Sequence, residues 1–275
     1  MRYTARMFRN PDHHLTPHRA GTLLAIAVAI ISGAGLFAAQ ASRSMEPPAP
    51  AAPQLAALEP NDSVPWKRPP GPPRVGLQAG HWLAQDAPEE LAAIRDNGAY
   101  AAGHAEWKVN LDIARRAAAL IEQHGVIVNV LPATVPAEYT ADAFVSIHAD
   151  DSPDRTVSGY KVAQPKRDAT GRADWLAMLL ADEYAAATGM AADPNVTANM
   201  RDYYAFNSQE YEHAVDPMTP SALIETGFLT NARDRRIIVK DPDVAAQAIA
   251  RAVLRFLELP VDAASTPTPA PHVTP

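Results

Sequence analysis

The chain of 275 residues contains no cysteine, which excludes a disulfide scaffold, a thiolate metal site and a cysteine nucleophile. That absence does not fix a compartment, because an exported protein can fold without disulfides. Basic charge is also in short supply. Against 31 Asp and Glu there are 24 Lys and Arg, a formal net charge of −7. Nucleic acid is therefore not expected as a partner, since phosphate binding requires a net basic face. Apolar residues are not lacking. At 47% they suffice for a core, and the length fits one or two domains.

Only one stretch is continuously apolar. Arg2, Arg6, Arg9 and Arg19 precede an uncharged run from Ala20 to Ser42. A basic start, an apolar run and Ala39-Gln40-Ala41 before Ser42 match a secretory signal with a small-residue cleavage site. The run is also about the 20 residues that cross a bilayer, so retention as a membrane anchor is the other reading. Both leave the arginines on the cytoplasmic side and send the remainder outward. The expected location is extracytoplasmic, in the periplasm or cell wall. Ten prolines follow within residues 46–73, too many for a helix or a ladder strand, so residues 43–73 read as an extended, semi-rigid linker. Residues 261–275 share that character and predict a disordered tail. Removing residues 1–41 takes away four arginines and Asp12, leaving 20 basic against 30 acidic side chains, a net charge of −10. Attraction to an anionic wall polymer must then be local.

Between 74 and 260, short apolar runs alternate with helical periodicity. Strands are expected at 75–78, 126–131, 143–148, 159–162 and 222–225. Residues 106–124 place Val109, Ile113, Ala117, Leu120 and Ile121 on one face, with Gly125 as the stop signal. Two more helices are expected, one over 172–188 and one opened by Asp241-Pro242. This alternation predicts a single α/β catalytic domain, a layered, mostly parallel or mixed sheet with helices on both faces.

The ionisable residues fall in a pattern. His81, His148 and Glu225 each stand at the carboxyl end of an expected buried strand, where open α/β sheets bind ligands. Glu106 opens the helix leading into the second strand. Two histidines and a carboxylate suit a zinc ion whose fourth position is left to water, and a second carboxylate suits the base for that water. The spacings of 25, 42 and 77 residues form no local motif. Taken alone, the histidines could equally be hydrogen-bonded structural residues, and Glu106 an acid favoured by the helix dipole. A buried carboxylate such as Glu225 is harder to explain without a role.

Longer blocks sharpen this. AGHW at 79–82, AEWKVNLDIARR at 105–116, FVSIHAD at 144–150, VSGYKV at 157–162 and ALIETGFLTNARD at 222–234 resemble, in order, the zinc-dependent N-acetylmuramoyl-L-alanine amidases of the amidase 3 group. The resemblance implies that His81, Glu106 and His148 bind Zn²⁺ and that Glu225 is the catalytic carboxylate. It also implies that peptidoglycan is the substrate, cut between N-acetylmuramic acid and L-alanine. Two departures lie beside the implied metal. Gln78-Ala79-Gly80-His81-Trp82 replaces the family's acidic-Pro-Gly-His-Gly-Gly opening, and Asp150 stands where Asn usually follows SIHA. The stretch 207–213 is also longer than usual. A zinc peptidase cutting within the stem peptide, or a catalytically silent wall-binding module, remain as alternatives. His104, His124 and Arg201–Tyr204 are expected to be structural and His213 to belong to a loop, while Trp82 and Trp107 either line the cleft or pack.

Overall fold

Four parallel strands and one antiparallel strand form the central sheet of the computed structural model, which describes residues 67–68 and 70–261. The basic segment 1–19, the apolar run 20–42, residues 43–66 of the linker and the tail from 262 lie outside the described residues. Among the described residues no helix is long and apolar enough to cross a membrane.

In chain order the elements are β1 (Arg74–Ala79), a two-residue hairpin of β2 (Tyr100–Ala101) and β3 (His104–Ala105), α1 (Glu106–Glu122), β4 (Ile127–Leu131), β5 (Ala143–Asp150), β6 (Lys161–Ala163), α2 (Ala173–Thr188), α3 (Ala198–Arg201), β7 (Ser221–Phe228) and α4 (Pro242–Phe256). The sheet order is β4-β1-β5-β7-β6, and β6 alone runs antiparallel. Every expected strand and helix is present, within two residues at most ends. The hairpin and α3 carry no periodic signal that could have announced them.

β5 is central, with every residue from Ala143 to Ala149 buried, including the polar Ser146 and His148. Alternation then divides its side chains. Val145 and Ile147 join Val75, Leu77, Ala222 and Ile224 in one core with α1, α2 and α4. Phe144 points the other way, into a smaller cluster with Leu91, Val135 and Tyr204. The long helices thus share one face, while α3 and two short 3-10 turns at Glu89–Ile94 and Tyr204–Phe206 cover the other. Charged pairs link the helices at the surface. Arg116 of α1 reaches Asp243 of α4 at 2.7 Å, and Glu183 of α2 accepts from Arg251 and Arg255. Pro242 opens α4 as expected, although Asp241 contributes no side-chain cap bond.

Leu77 is fully enclosed between β1's neighbours and the helical layer. Leu77→Ala should therefore lower unfolding free energy by about 2–5 kcal/mol, read as a lower urea midpoint with an unchanged slope. A midpoint equal to the wild type would contradict this placement.

Candidate metal centre

His81, Glu106, His148 and Glu225 meet at the carboxyl ends of β1, β5 and β7. The sheet register explains two of them directly. His148 pairs with Glu225 across β5 and β7, so their side chains project from neighbouring strands on one face. β1 ends at Ala79, yet Gly80 still donates to the carbonyl of Ile147 at 2.9 Å. The chain then leaves the sheet abruptly, with His81 at φ 62 and Leu83 at φ 58. That left-handed turn costs roughly 1–2 kcal/mol per residue and directs the imidazole back over the strand ends.

Glu106 arrives by a different route. The β2–β3 hairpin delivers it as the first residue of α1, where its backbone N–H bonds the carbonyl of Ala99 at 2.9 Å and its Oε2 accepts from the Ala99 N–H at 2.8 Å. One helical turn on, Asn110 donates to Glu106 Oε1 at 3.2 Å and to the Gly80 carbonyl at 3.1 Å. Two glycines make room. A Cβ at Gly98 would lie 2.3 Å from Glu106 Oε2, and one at Gly80 would lie 2.3 Å from His148 Cε1.

The donor atoms converge. Glu106 Oε1 stands 3.1 Å from His148 Nδ1 and 3.5 Å from His81 Nε2, and donors of all three residues lie within 4.8 Å of one another. Two donors at 2.0–2.1 Å from a tetrahedral ion stand about 3.3 Å apart, so this set fits a small divalent cation. An open cleft of about 280 Å³ lies over it, lined by His81, Glu106, His148, Asp150, Asp151 and Glu225 among others. A cleft of about 330 Å³ beside Ser221, at the start of β7, is larger but gathers no such donors.

Charge in the cleft is mostly negative. Glu225 Oε2 is enclosed with no hydrogen-bond partner. Burial, then the charges of Glu106 and Asp150, push its carboxyl well above the usual range, against an opposing pull from Lys161. Lys161 faces Glu225 from the other side of the register and pairs with Asp150 and, at 3.5 Å, with Asp193. The departure at Asp150 is therefore balanced by a buried cation. At His81, burial disfavours the imidazolium, but the hydrogen bond to Asp96 and the charges of Glu106 and Asp96 outweigh it and raise its pKa. The same hydrogen bond, outweighing burial, holds Asp96 below the ordinary carboxylate value.

Several neighbours were not singled out from the sequence. Asn110 stands four residues beyond Glu106, and that helical spacing was a usable signal. Asp96 bonds His81 Nδ1 at 2.7 Å from an irregular loop, and Tyr203 stacks edge-on against His148, with ring centroids 5.6 Å apart. Neither lies in a periodic segment. Arg201–Tyr204, expected to be structural, thus supplies a residue in contact with the site. Trp82 and Trp107 pack against the core and do not line the cleft. His213 ties its loop to Glu90 at 2.8 Å, away from the donors, as expected of a loop residue.

A family model described as N-acetylmuramoyl-L-alanine amidase matches residues 75–255. Among solved structures, the N-acetylmuramoyl-L-alanine amidase AmiC2 of Nostoc punctiforme is similar at 25% identity, with 68% of this chain and 98% of that chain covered and a TM-score of 0.51. Ami1 from Mycobacterium smegmatis is similar in fold at 20% identity, covering 68% of this chain and 97% of its own, with a TM-score of 0.50. No curated protein sequence matches.

Proposed function

We propose, because this chain belongs to the N-acetylmuramoyl-L-alanine amidase family, that it hydrolyses the bond between N-acetylmuramic acid and L-alanine in peptidoglycan with a zinc ion held by His81, Glu106 and His148. The observation that carries this reading is the convergence of those three side chains on one point, with Glu225 in register beside His148. Zinc, when bound, supplies a Lewis acid for the lactyl carbonyl and acidifies a water. Glu225 accepts the proton of the attacking water and returns it to the departing amine of L-alanine. Its enclosed Oε2 offers a proton acceptor with no competing hydrogen bond, and burial beside Glu106 and Asp150, opposed only in part by Lys161, raises its affinity for a proton. The four acidic groups of the rim, Glu106, Asp150, Asp151 and Glu225, favour retention of a divalent cation.

Such a substrate places the enzyme outside the cytoplasm. The apolar run Ala20–Ser42 provides export, by cleavage or by anchoring, and residues 43–73 act as the spacer to a catalytic domain spanning 74–260. The cellular outcome is cleavage of stem peptides from glycan during wall remodelling or turnover.

Digestion of purified muropeptides followed by mass analysis tests the reading. Free disaccharide and intact stem peptide are expected, with about one zinc per chain and loss of activity on chelation. Shortened stems would instead identify a peptidase, and absence of products from zinc-loaded protein a silent module.

A further inference from the structure

Beneath His148 lies a network of hydrogen bonds centred on a buried amide. Gln78, wholly buried, donates from Nε2 to the Ala133 carbonyl at 2.9 Å and to the Tyr204 hydroxyl at 2.8 Å. Tyr204 in turn donates to the Ala133 carbonyl. A carbonyl can only accept, so the Gln78 amide has one orientation, and its Oε1 must be the acceptor on the other side. Ser146 Oγ donates to that Oε1 at 2.7 Å and Tyr203 Oη donates to it at 3.0 Å. The Tyr203 hydroxyl also stands 3.4 Å from His148 Nε2. The other ring nitrogen, Nδ1, faces Glu106 Oε1 at 3.1 Å, so the hydroxyl on one side and the carboxylate on the other fix the ring with Nδ1 toward the remaining donors.

At His81 the ring is turned the other way. Its Nδ1 lies 2.7 Å from the acceptor Asp96 Oδ1 and donates there, which leaves Nε2 as the nitrogen turned to Glu106 Oε1 at 3.5 Å. His148 Nδ1, His81 Nε2 and Glu106 Oε1 thus converge, an arrangement that suits a cation between them.

We infer that Gln78 and Tyr203 are positioning residues that make His148 an Nδ1 metal donor, while Asp96 makes His81 an Nε2 donor. This rests on the zinc reading above. It also accounts for Gln78 in place of the family's acidic residue. An amide can donate to Ala133 and accept from Tyr203 at once, whereas a carboxylate would turn an oxygen on the Ala133 carbonyl.

Tyr203→Phe keeps the ring against His148 and removes only the hydroxyl. Zinc affinity, measured on the folded protein by competition with a chromophoric chelator, should fall about 10–100-fold, as loss of a residue orienting a ligand does. Tyr204→Phe belongs to the same network but does not touch His148, and should bind zinc far closer to the wild type. Long-range ¹H–¹⁵N correlation of the zinc-loaded wild type supplies a readout independent of any variant. The metal-bound, unprotonated nitrogen should be Nδ1 in His148 and Nε2 in His81. Unchanged affinity in Tyr203→Phe, equal losses in both variants, or Nε2 ligation by His148 would each overturn the assignment with the metal site intact. Failure of the wild type to bind zinc would overturn the zinc reading and this assignment together.

Discussion

Glu225→Gln should lower turnover by about 10²–10⁴-fold, the usual cost of losing a general base, while leaving zinc content close to that of the wild type. Glutamine keeps the volume and shape that β7 offers at this position, so neither the register with His148 nor the pairing with Lys161 is disturbed. It cannot take up a proton. The substitution also removes a carboxyl whose charge is costly where it stands, buried and facing Glu106 and Asp150. The variant should thus be at least as resistant to heat as the wild type, separating catalysis from stability in a single protein. Metal analysis, melting temperature and muropeptide turnover give the three numbers. Full activity would show Glu225 to be structural. Loss of zinc along with activity would make it a ligand and send the search for the base elsewhere.

Gly80→Ala should abolish both zinc retention and activity without unfolding the domain. A Cβ at this position would lie 2.3, 2.4 and 2.5 Å from Cε1, Nε2 and Nδ1 of His148, closer than any real contact allows. The backbone cannot easily retreat, because the Gly80 N–H is bonded to Ile147 and its carbonyl to Asn110. The imidazole must move instead, away from Glu106 and from its edge-on contacts with the rings of His81 and Tyr203. Overpacking of this kind typically costs about 1–3 kcal/mol, which a domain of this size survives. Far-ultraviolet circular dichroism should match the wild type while bound zinc and product formation are lost. An active, zinc-containing Gly80→Ala protein would mean that His148 is not held in the observed place.

Several features of the domain were legible in the order of residues alone. α1 was visible because Val109, Ile113, Ala117 and Ile121 recur at the helical period, and all four are buried. β5 and β7 were visible as short apolar runs, and buried strands of a parallel sheet have to be apolar on both faces. His81, His148 and Glu225 could be assigned to strand ends, and Glu106 to a helix start, because each is defined by a local signal a few residues wide. Those signals are the chain's own hydrophobic pattern, which acts before any long-range contact forms.

Only the tertiary structure decided the rest. The strand order β4-β1-β5-β7-β6, the reversal of β6 and the pairing of His148 with Glu225 and Glu225 with Lys161 depend on contacts between segments far apart in the chain. Asp96 was unreadable because an exposed acid in an irregular loop looks like any other until His81 turns onto it. Tyr203 lies 55 residues from His148 and 125 from Gln78, so no local pattern could connect them. Local periodicity determines which residues are buried and on which element. Which buried polar groups face one another, and therefore which nitrogen of each histidine faces Glu106, is set by register and loop closure across the whole sheet.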